Sequence, residues 1–441
     1  MDSILLSRIQ FGLAACFHFL FPPFTLGLSL IILIIETLYL KHKDDFYNNL
    51  SNFLVKILGL VFVVGVATGI VLEFSFGTNW SEFSRFVGDI FGAPLAAEGV
   101  FAFFLESVFL GVLIFGRNRV SKKVYWLSAF LVFFGSHISG LWIIIANSWM
   151  QTPAGFKIEG GRAVLTNFFQ AAINHSTVIR YIHTVIASWI TGSLFVTGIS
   201  AFYIIKKRYV EYAKVYFKVA VIIFIFASII QLFAGHSHSV QVAKTQPEKM
   251  AAFEALWKTK EGAPLALFGI PDSEKEKTYL YVGIPKLLSL LIHGDFNARV
   301  VGLAEFPKEE QPPVFLPFVS YHIMIIIGML FVIMAMIGLY LLLKKKIWSA
   351  DWYLKLLLYS IPLPHIANQF GWIGAEVGRQ PWAVYKILRT ANAASVVVPA
   401  GQILFSLLVF GLIYIFITGV FIYVLISFVK KGPEETALKG Y

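Results

Sequence analysis

Long apolar runs alternate with short polar connections along almost the whole chain. Each run holds about 20 apolar residues, enough to cross roughly 30 Å of hydrocarbon as a helix. Nine spans are predicted, at about 10–40, 53–76, 94–116, 124–147, 179–205, 217–239, 318–343, 352–376 and 402–429. Unpaired backbone N–H and C=O groups are costly in lipid, so the expected fold is all-α, a polytopic membrane helical bundle. The first run has no basic stretch before it and no small-residue cleavage site after it. It is read as a retained span, not a removed signal peptide.

The polar connections carry a direction. Basic residues gather after spans 1, 3, 5, 7 and 9: Lys41 and Lys43; Arg117, Arg119, Lys122 and Lys123; Lys206, Lys207 and Arg208; Lys344, Lys345 and Lys346; Lys430 and Lys431. Positive charge marks cytoplasmic connections, so the amino terminus is expected outside and the carboxyl terminus in the cytoplasm. The chain then divides into helices 1–6 over residues 1–239, an outer loop over 240–317, and helices 7–9 with a cytoplasmic tail over 318–441. So long a loop is functional or disordered. Its segment TQPEKMAAFEALWK predicts a short helix capped by Thr245, with Glu248 at the capping-box position and Pro247 in the first turn. That helix and the surrounding apolar residues favour an ordered, functional loop.

Composition agrees with a membrane setting. Of 441 residues, 58% are hydrophobic and 14% charged, where a soluble chain has about 25% charged residues. The mean hydropathy is +0.75. The net charge of +11 comes from basic residues in short clusters between the apolar runs, a distribution that argues against nucleic acid as a partner. The single cysteine, Cys16, rules out an internal disulfide and a CxxCH haem attachment, and reads as a packed hydrophobe. No internal repeat is evident, which weakens an inverted-repeat transporter.

Ionisable residues inside spans are costly and therefore candidates for function. At 1.5 Å per residue, His18, Glu98, His183, Met324 and Glu376 all fall in the outer third of the membrane, on five different spans. No HxxxH or CxxC pair lies within a span, which argues against zinc. Single His, Met and Glu ligands from separate helices suit a macrocycle held between them, His/Met being a low-spin haem arrangement. A lone histidine is also a common packing residue. Glu98, Glu106 and Glu376 would equally serve a proton-coupled transporter. Glu98 and Glu106, eight residues apart, are expected within roughly 80° on one helix face and about 12 Å apart in depth, as a proton relay or as separate pairing residues.

Several stretches carry a resemblance: LSRIQFGLAACFHFLFPPFTLG, GVATGIVLEFSFGTNW, GDIFGAPLAAEGVFAFFLES, RYIHTVIASWITG, QPEKMAAFEALW, YHIMIIIGM and GWIGAEVGRQPW. In this order, over essentially the full length, the chain resembles subunit I of the cytochrome bd-type quinol oxidases, of the type with a short quinol loop. The resemblance implies a terminal respiratory oxidase of the bacterial cytoplasmic (inner) membrane that oxidises quinol outside and reduces oxygen to water. Proton motive force would come from sidedness, without pumping. It implies a low-spin haem b, a high-spin haem b and a haem d, the last replaced by haem b in a cyanide-insensitive variant. It also implies a second integral-membrane subunit and often a small single-span one.

By position, the resemblance makes His183 and Met324 axial ligands of the low-spin haem. His18 and Glu376 serve the two high-spin haems, with Glu98 a ligand or close partner at the oxygen-reducing one. Glu106 belongs to the proton path, and Lys249 and Glu254 to the quinol site. Arg379 would lie near haem propionates or offset Glu376. Trp372 and Trp382 would pack on a macrocycle or sit at the membrane interface. His322 stands where some members have Arg. His236 and His238 would take up quinol protons or lie exposed at a loop end.

Overall fold

A computed structural model describes residues 2–433, and the last part of the expected cytoplasmic tail, 434–441, lies outside the described residues. The chain runs through α1 (Ser3–His18), α2 (Pro22–His42), α3 (Asp45–Thr78) and α4 (Ser81–Ala97) into a π-helical turn, Glu98–Phe103, and on through α5 (Phe104–Phe115) and α6 (Lys122–Gln151). A hairpin of β1 (Phe156–Glu159) and β2 (Arg162–Leu165) and the short α7 (Phe168–Ala172) precede α8 (Thr177–Ile205) and α9 (Val210–Thr245).

The outer loop carries α10 (Pro247–Phe253), β3 (Lys260–Glu261), β4 (Leu265–Asp272), β5 (Lys277–Ile284), α11 (Leu287–His293) and β6 (Arg299–Val300). Then come α12 (Phe315–Leu343), α13 (Asp351–Tyr359), α14 (Leu363–Val377), β7 (Trp382–Val384), β8 (Leu388–Arg389) and α15 (Ala400–Lys431). The strands form four two-stranded antiparallel ribbons: β1–β2, β3–β6, β4–β5 and β7–β8.

Among the described residues, eight helical stretches are long and apolar enough to cross a membrane: 3–42, 45–78, 81–115, 122–151, 177–205, 210–245, 315–343 and 400–431. The eighth predicted span, 352–376, is a helix pair, α13 and α14, broken at Ser360–Pro362, and the first, 10–40, is likewise divided between α1 and α2 at Phe19–Phe21. Pro362 lacks the N–H that a continuous helix would need there. The short helix of the loop also differs from its expected cap. α9 continues to Thr245, whose hydroxyl donates back to Gln241 O, and α10 starts after Gln246 without a side-chain cap. Glu248 instead accepts from Tyr385 OH at 2.5 Å.

Enclosure sorts the helices. In α8, 83% of the apolar stretch is buried, in α15 only 6%, so α8 is central and α15 peripheral. α2 meets α8 backbone to backbone at Gly27 and Gly192. A Cβ on Gly27 would lie 2.5 Å from Ser188 O and 2.6 Å from Gly192 Cα. The basic connections meet at one end of the bundle. There Tyr203 OH donates to Val429 O at 2.7 Å and Arg208 reaches Lys430 O at 3.3 Å. Arg117 pairs with buried Glu36 at 3.2 Å and bonds Ser51, Tyr125 and Asn48, tying four segments together. The ribbons and the long loop gather at the opposite end. Tyr385 N donates there to Met150 O at 2.9 Å, and Arg389 to Glu309 O at 3.1 Å.

A candidate redox site at the loop end of the bundle

The ends of α6, α8 and α14 bring polar side chains together beneath α10. Glu376, in the last turn of α14, accepts from Asn147 at 3.1 Å and Gln151 at 3.2 Å through Oε1, and from Arg379 at 2.7 Å through Oε2. Arg180, in the first turn of α8, lies 4.0 Å from Oε1, bonds Asn147 Oδ1 and stands over the Trp372 ring at 5.5 Å. Lys249 of α10 is fully buried and donates to Gln151 Oε1 at 2.5 Å and Gln246 Oε1 at 2.6 Å. Gln151 therefore links the loop lysine to the helix carboxylate. Burial, with the Arg180 and Arg379 guanidinium groups nearby, holds the Lys249 amine well below its ordinary value, against the pull of Glu376 and Glu248. Arg180 Nε, Arg379 NH1 and Glu248 Oε2 are buried without partners.

Glu254, the residue after α10, is buried on the side facing β4. Oε2 accepts from Ala266 N at 2.9 Å, and Oε1 has no partner. Burial pushes its carboxyl up to about 8, partly offset by the Ala266 N–H. Phe253 stacks on Tyr321 at 4.5 Å, and Tyr321 OH lies 3.1 Å from Ser239 Oγ. His322 is not part of the arginine–lysine cluster. Its Nδ1 lies 2.8 Å from Phe318 O and its Nε2 2.9 Å from Ala266 O.

The remaining candidates line the same half of the bundle. His18 Nδ1 lies 3.0 Å from Thr68 Oγ1. That hydroxyl is also within 2.9 Å of Val64 O and 3.0 Å of Gly65 O, so in the tautomer whose Nδ1–H donates to it His18 Nε2 keeps a free lone pair. Gly69 sits against this ring, where a Cβ would come within 3.2 Å. His183 lies beside Gln231, whose Nε2 is 3.2 and 3.3 Å from the two ring nitrogens and whose Oε1 is buried without a partner. His238, expected either as a proton acceptor or exposed at a loop end, is within α9. Its ring is 5.4 Å from that of His183 and its Nε2 is buried, whereas His236 is exposed. Met324 packs on Gly371 of α14, where a Cβ would meet Sδ at 2.9 Å. Trp372 packs edge-on to Phe19 at 5.3 Å, joining α14 to the end of α1. Trp382 is buried, so it is not an interfacial belt residue.

Glu98 and Glu106 do not follow a straight helix. Pro94 gives no N–H to its own turn, and the π turn that opens at Glu98 inserts one residue, displacing the phase by roughly 100°. Glu98 accepts from Ser139 of α6 at 2.8 Å, while Glu106 is buried with Oε1 unpartnered. Sequence reasoning missed Arg180, Asn147, Gln151 and Glu248. Arg180 carried a usable signal, an arginine three residues before His183 in a span. The two amides carried none, because only the fold brings them to Glu376.

A helical membrane bundle whose loop end buries two guanidinium groups, a lysine and two carboxylates beside isolated histidines and a methionine has the makings of an integral-membrane redox protein. The family model of cytochrome bd terminal oxidase subunit I matches residues 6–433, and the chain belongs to that family. It is 40% identical to cytochrome bd ubiquinol oxidase subunit 1 of Bacillus subtilis (strain 168), over 99% of this chain and 95% of the relative. With cytochrome bd-II ubiquinol oxidase subunit 1 of Escherichia coli (strain K12) it shares 35% identity over 98% and 97%. The solved bd oxidase of Geobacillus thermodenitrificans superposes with a TM-score of 0.91 at 29% identity, covering 98% of this chain and 99% of that one.

Membership implies haem, and the residues present fit it. Among the described residues no three His, Cys, Asp or Glu side chains form a metal cage. An iron already held in a macrocycle needs only one or two protein ligands. His18 offers a free Nε2 with its other nitrogen tied to Thr68, the arrangement that orients a ligating histidine. The unpartnered Arg180 and Arg379 donors suit the propionates of such a group.

Proposed function

We propose that this chain is the quinol-oxidising, oxygen-reducing subunit of a terminal oxidase in the bacterial cytoplasmic membrane, working with a second integral subunit and a small single-span one. The observation that carries the reading is the bridge Lys249–Gln151–Glu376, which makes the outer loop and the end of α14 one buried site. Quinol binds between α10 and β4. Glu254 Oε1, held neutral up to about pH 8, lies near the working pH required of a proton acceptor. Lys249 holds the loop against Gln151 and Gln246.

His183 and Met324 would hold a low-spin haem b, and His18 and Glu376 the two high-spin haems, the third being haem d or haem b, with Glu98 close by. Bound haem supplies electron transfer and oxygen chemistry. Arg180 and Arg379 neutralise carboxylates at this end, and Arg379 fixes Glu376 in place at 2.7 Å. Trp372 packs between the end of α1 and Arg180. Glu106, with an unpartnered oxygen, passes protons from the basic end of the bundle, which we assign to the cytoplasm. Quinol protons leave on the loop side. Charge separation follows from these two sides.

The test is a reduced-minus-oxidised absorption spectrum of the purified complex, with haem extraction on the same sample. Low-spin b features with a red-region chlorin band fit the full haem set, and haem b alone indicates the cyanide-insensitive variant. A haem-free complex would overturn the reading and leave a proton-coupled transporter.

A further inference from the structure

The β4–β5 ribbon is the most apolar exposed surface of the outer loop. Leu267, Phe268 and Ile270 on β4 and Leu280, Tyr281 and Val282 on β5 are all exposed, Leu280 by 71%. The register jumps from Phe268↔Val282 to Ile270↔Tyr279, so Leu280 and Tyr281 have no cross-strand partner. Leu280 sits at φ 49°, a conformation a bulky side chain avoids, and the bulge pushes it outward. A water-facing ribbon would not carry such a surface.

The ribbon's position says what covers it. Ala266 O is bonded to His322, seven residues inside the start of α12 and so roughly 10 Å along the helix axis. A Cβ on Gly269 would lie 3.5 Å from Phe318 Cζ, about one turn nearer the helix end. The ribbon therefore climbs beside the outer turns of a membrane-crossing helix, whose Phe315, Leu316, Ile325 and Ile326 are themselves exposed.

Its polarity is graded along the climb. The body is apolar, Tyr279 comes next with Lys275 and Lys277 over its ring at 5.8 and 5.3 Å, and the tip is Asp272 to Lys277. Tyrosine and snorkelling lysine at the boundary, with charge beyond, is the order found across a membrane interface. β5 pairs with β4 alone, so its outer edge needs water or headgroups and does not suit the hydrocarbon centre.

We propose that the β4–β5 ribbon is a lipid-binding element, seated at the headgroup–acyl boundary beside α12, with phospholipid covering its apolar face. It rests on the spanning topology and not on the oxidase reading. The assembled complex is placed in nanodiscs of phosphatidylcholine and phosphatidylglycerol containing a diazirine-bearing phosphatidylcholine, irradiated, and its adducts mapped by mass spectrometry. Adducts are expected on residues 267–270 and 280–282, as on Ile325 and Ile326 of α12, and not on the polar tip of β1–β2. In a Leu280→Lys, Val282→Lys double variant, adducts on the ribbon fall to that background while those on α12 persist and the complex keeps its absorbance. Ribbon adducts no higher than on β1–β2 in the unaltered complex, or ribbon adducts undiminished in the double variant, overturn the proposal. No turnover is needed, so its failure is separate from failure of the oxidase reading.

Discussion

Replacing Glu254 by Gln removes a titratable group while keeping its shape and its bond to Ala266 N. Burial raises the carboxyl from 4.5 to about 8, which at about 1.4 kcal/mol per pH unit is a preference of about 5 kcal/mol for the neutral acid. A folded value above the unfolded one gives stability that is whole below about pH 4.5 and is lost as pH rises towards about 8. Wild type is therefore expected to melt progressively lower than Glu254→Gln between pH 5 and 9, the reverse of what an ion pair would give. Quinol oxidation should move the other way. As proton acceptor, ionised Glu254 gives kcat/KM a rise through about pH 8. The variant loses that rise and, at its plateau, roughly 10²–10⁴-fold in rate. The assay is steady-state quinol oxidation across pH on samples matched for haem content. A variant that keeps the wild-type rise with the same midpoint would refute the assignment, whatever its melting temperature.

Other perturbations test other parts of the site. Glu106→Gln should slow oxygen reduction with haem content intact, measured by oxygen uptake and haem extraction; normal turnover removes Glu106 from the path. Gly371→Ala places a Cβ 2.9 Å from Met324 Sδ, forcing the thioether aside at the flexible end of its chain. If Met324 is a ligand, the low-spin haem spectrum or potential changes with little loss of thermal stability, and an unchanged spectrum sinks the assignment. Gly27→Ala sets a methyl 2.5 Å from Ser188 O and 2.6 Å from Gly192 Cα, where neither backbone can yield. It should cost about 1–3 kcal/mol or more, read as a lower melting temperature or a lower yield of complex. A wild-type melt would contradict the tight α2–α8 crossing.

The spans were legible because apolarity is continuous along them, but 10–40 and 352–376 each depart from a single helix, at breaks marked by Pro22 and Pro362 that length alone does not show. The Thr245 cap failed because α9 runs on past the predicted boundary, leaving the hydroxyl inside a helix where it back-bonds to Gln241. The π turn at Glu98 is invisible to a period of 3.6 residues, so the expected 80° between Glu98 and Glu106 does not apply. Candidate ligands stood out as ionisable residues in apolar runs. Their neighbours did not, since Asn147, Gln151 and Thr68 are ordinary residues until packing brings them to Glu376 and His18.

Lys249 draws its neighbours from separate parts of the chain: Gln151 ends α6, Gln246 precedes α10, and Arg180 and Arg379 belong to α8 and the segment after α14. A loop borrowed from a relative would bring its own lysine into a socket shaped by three foreign segments. A mismatch at Gln151 would leave the buried amine with Gln246 as its one remaining acceptor. Chimeras that exchange the loop alone should therefore assemble poorly, and those that exchange it together with the ends of α6, α8 and α14 should assemble well. The outer loop is inherited with its socket and does not behave as an interchangeable module.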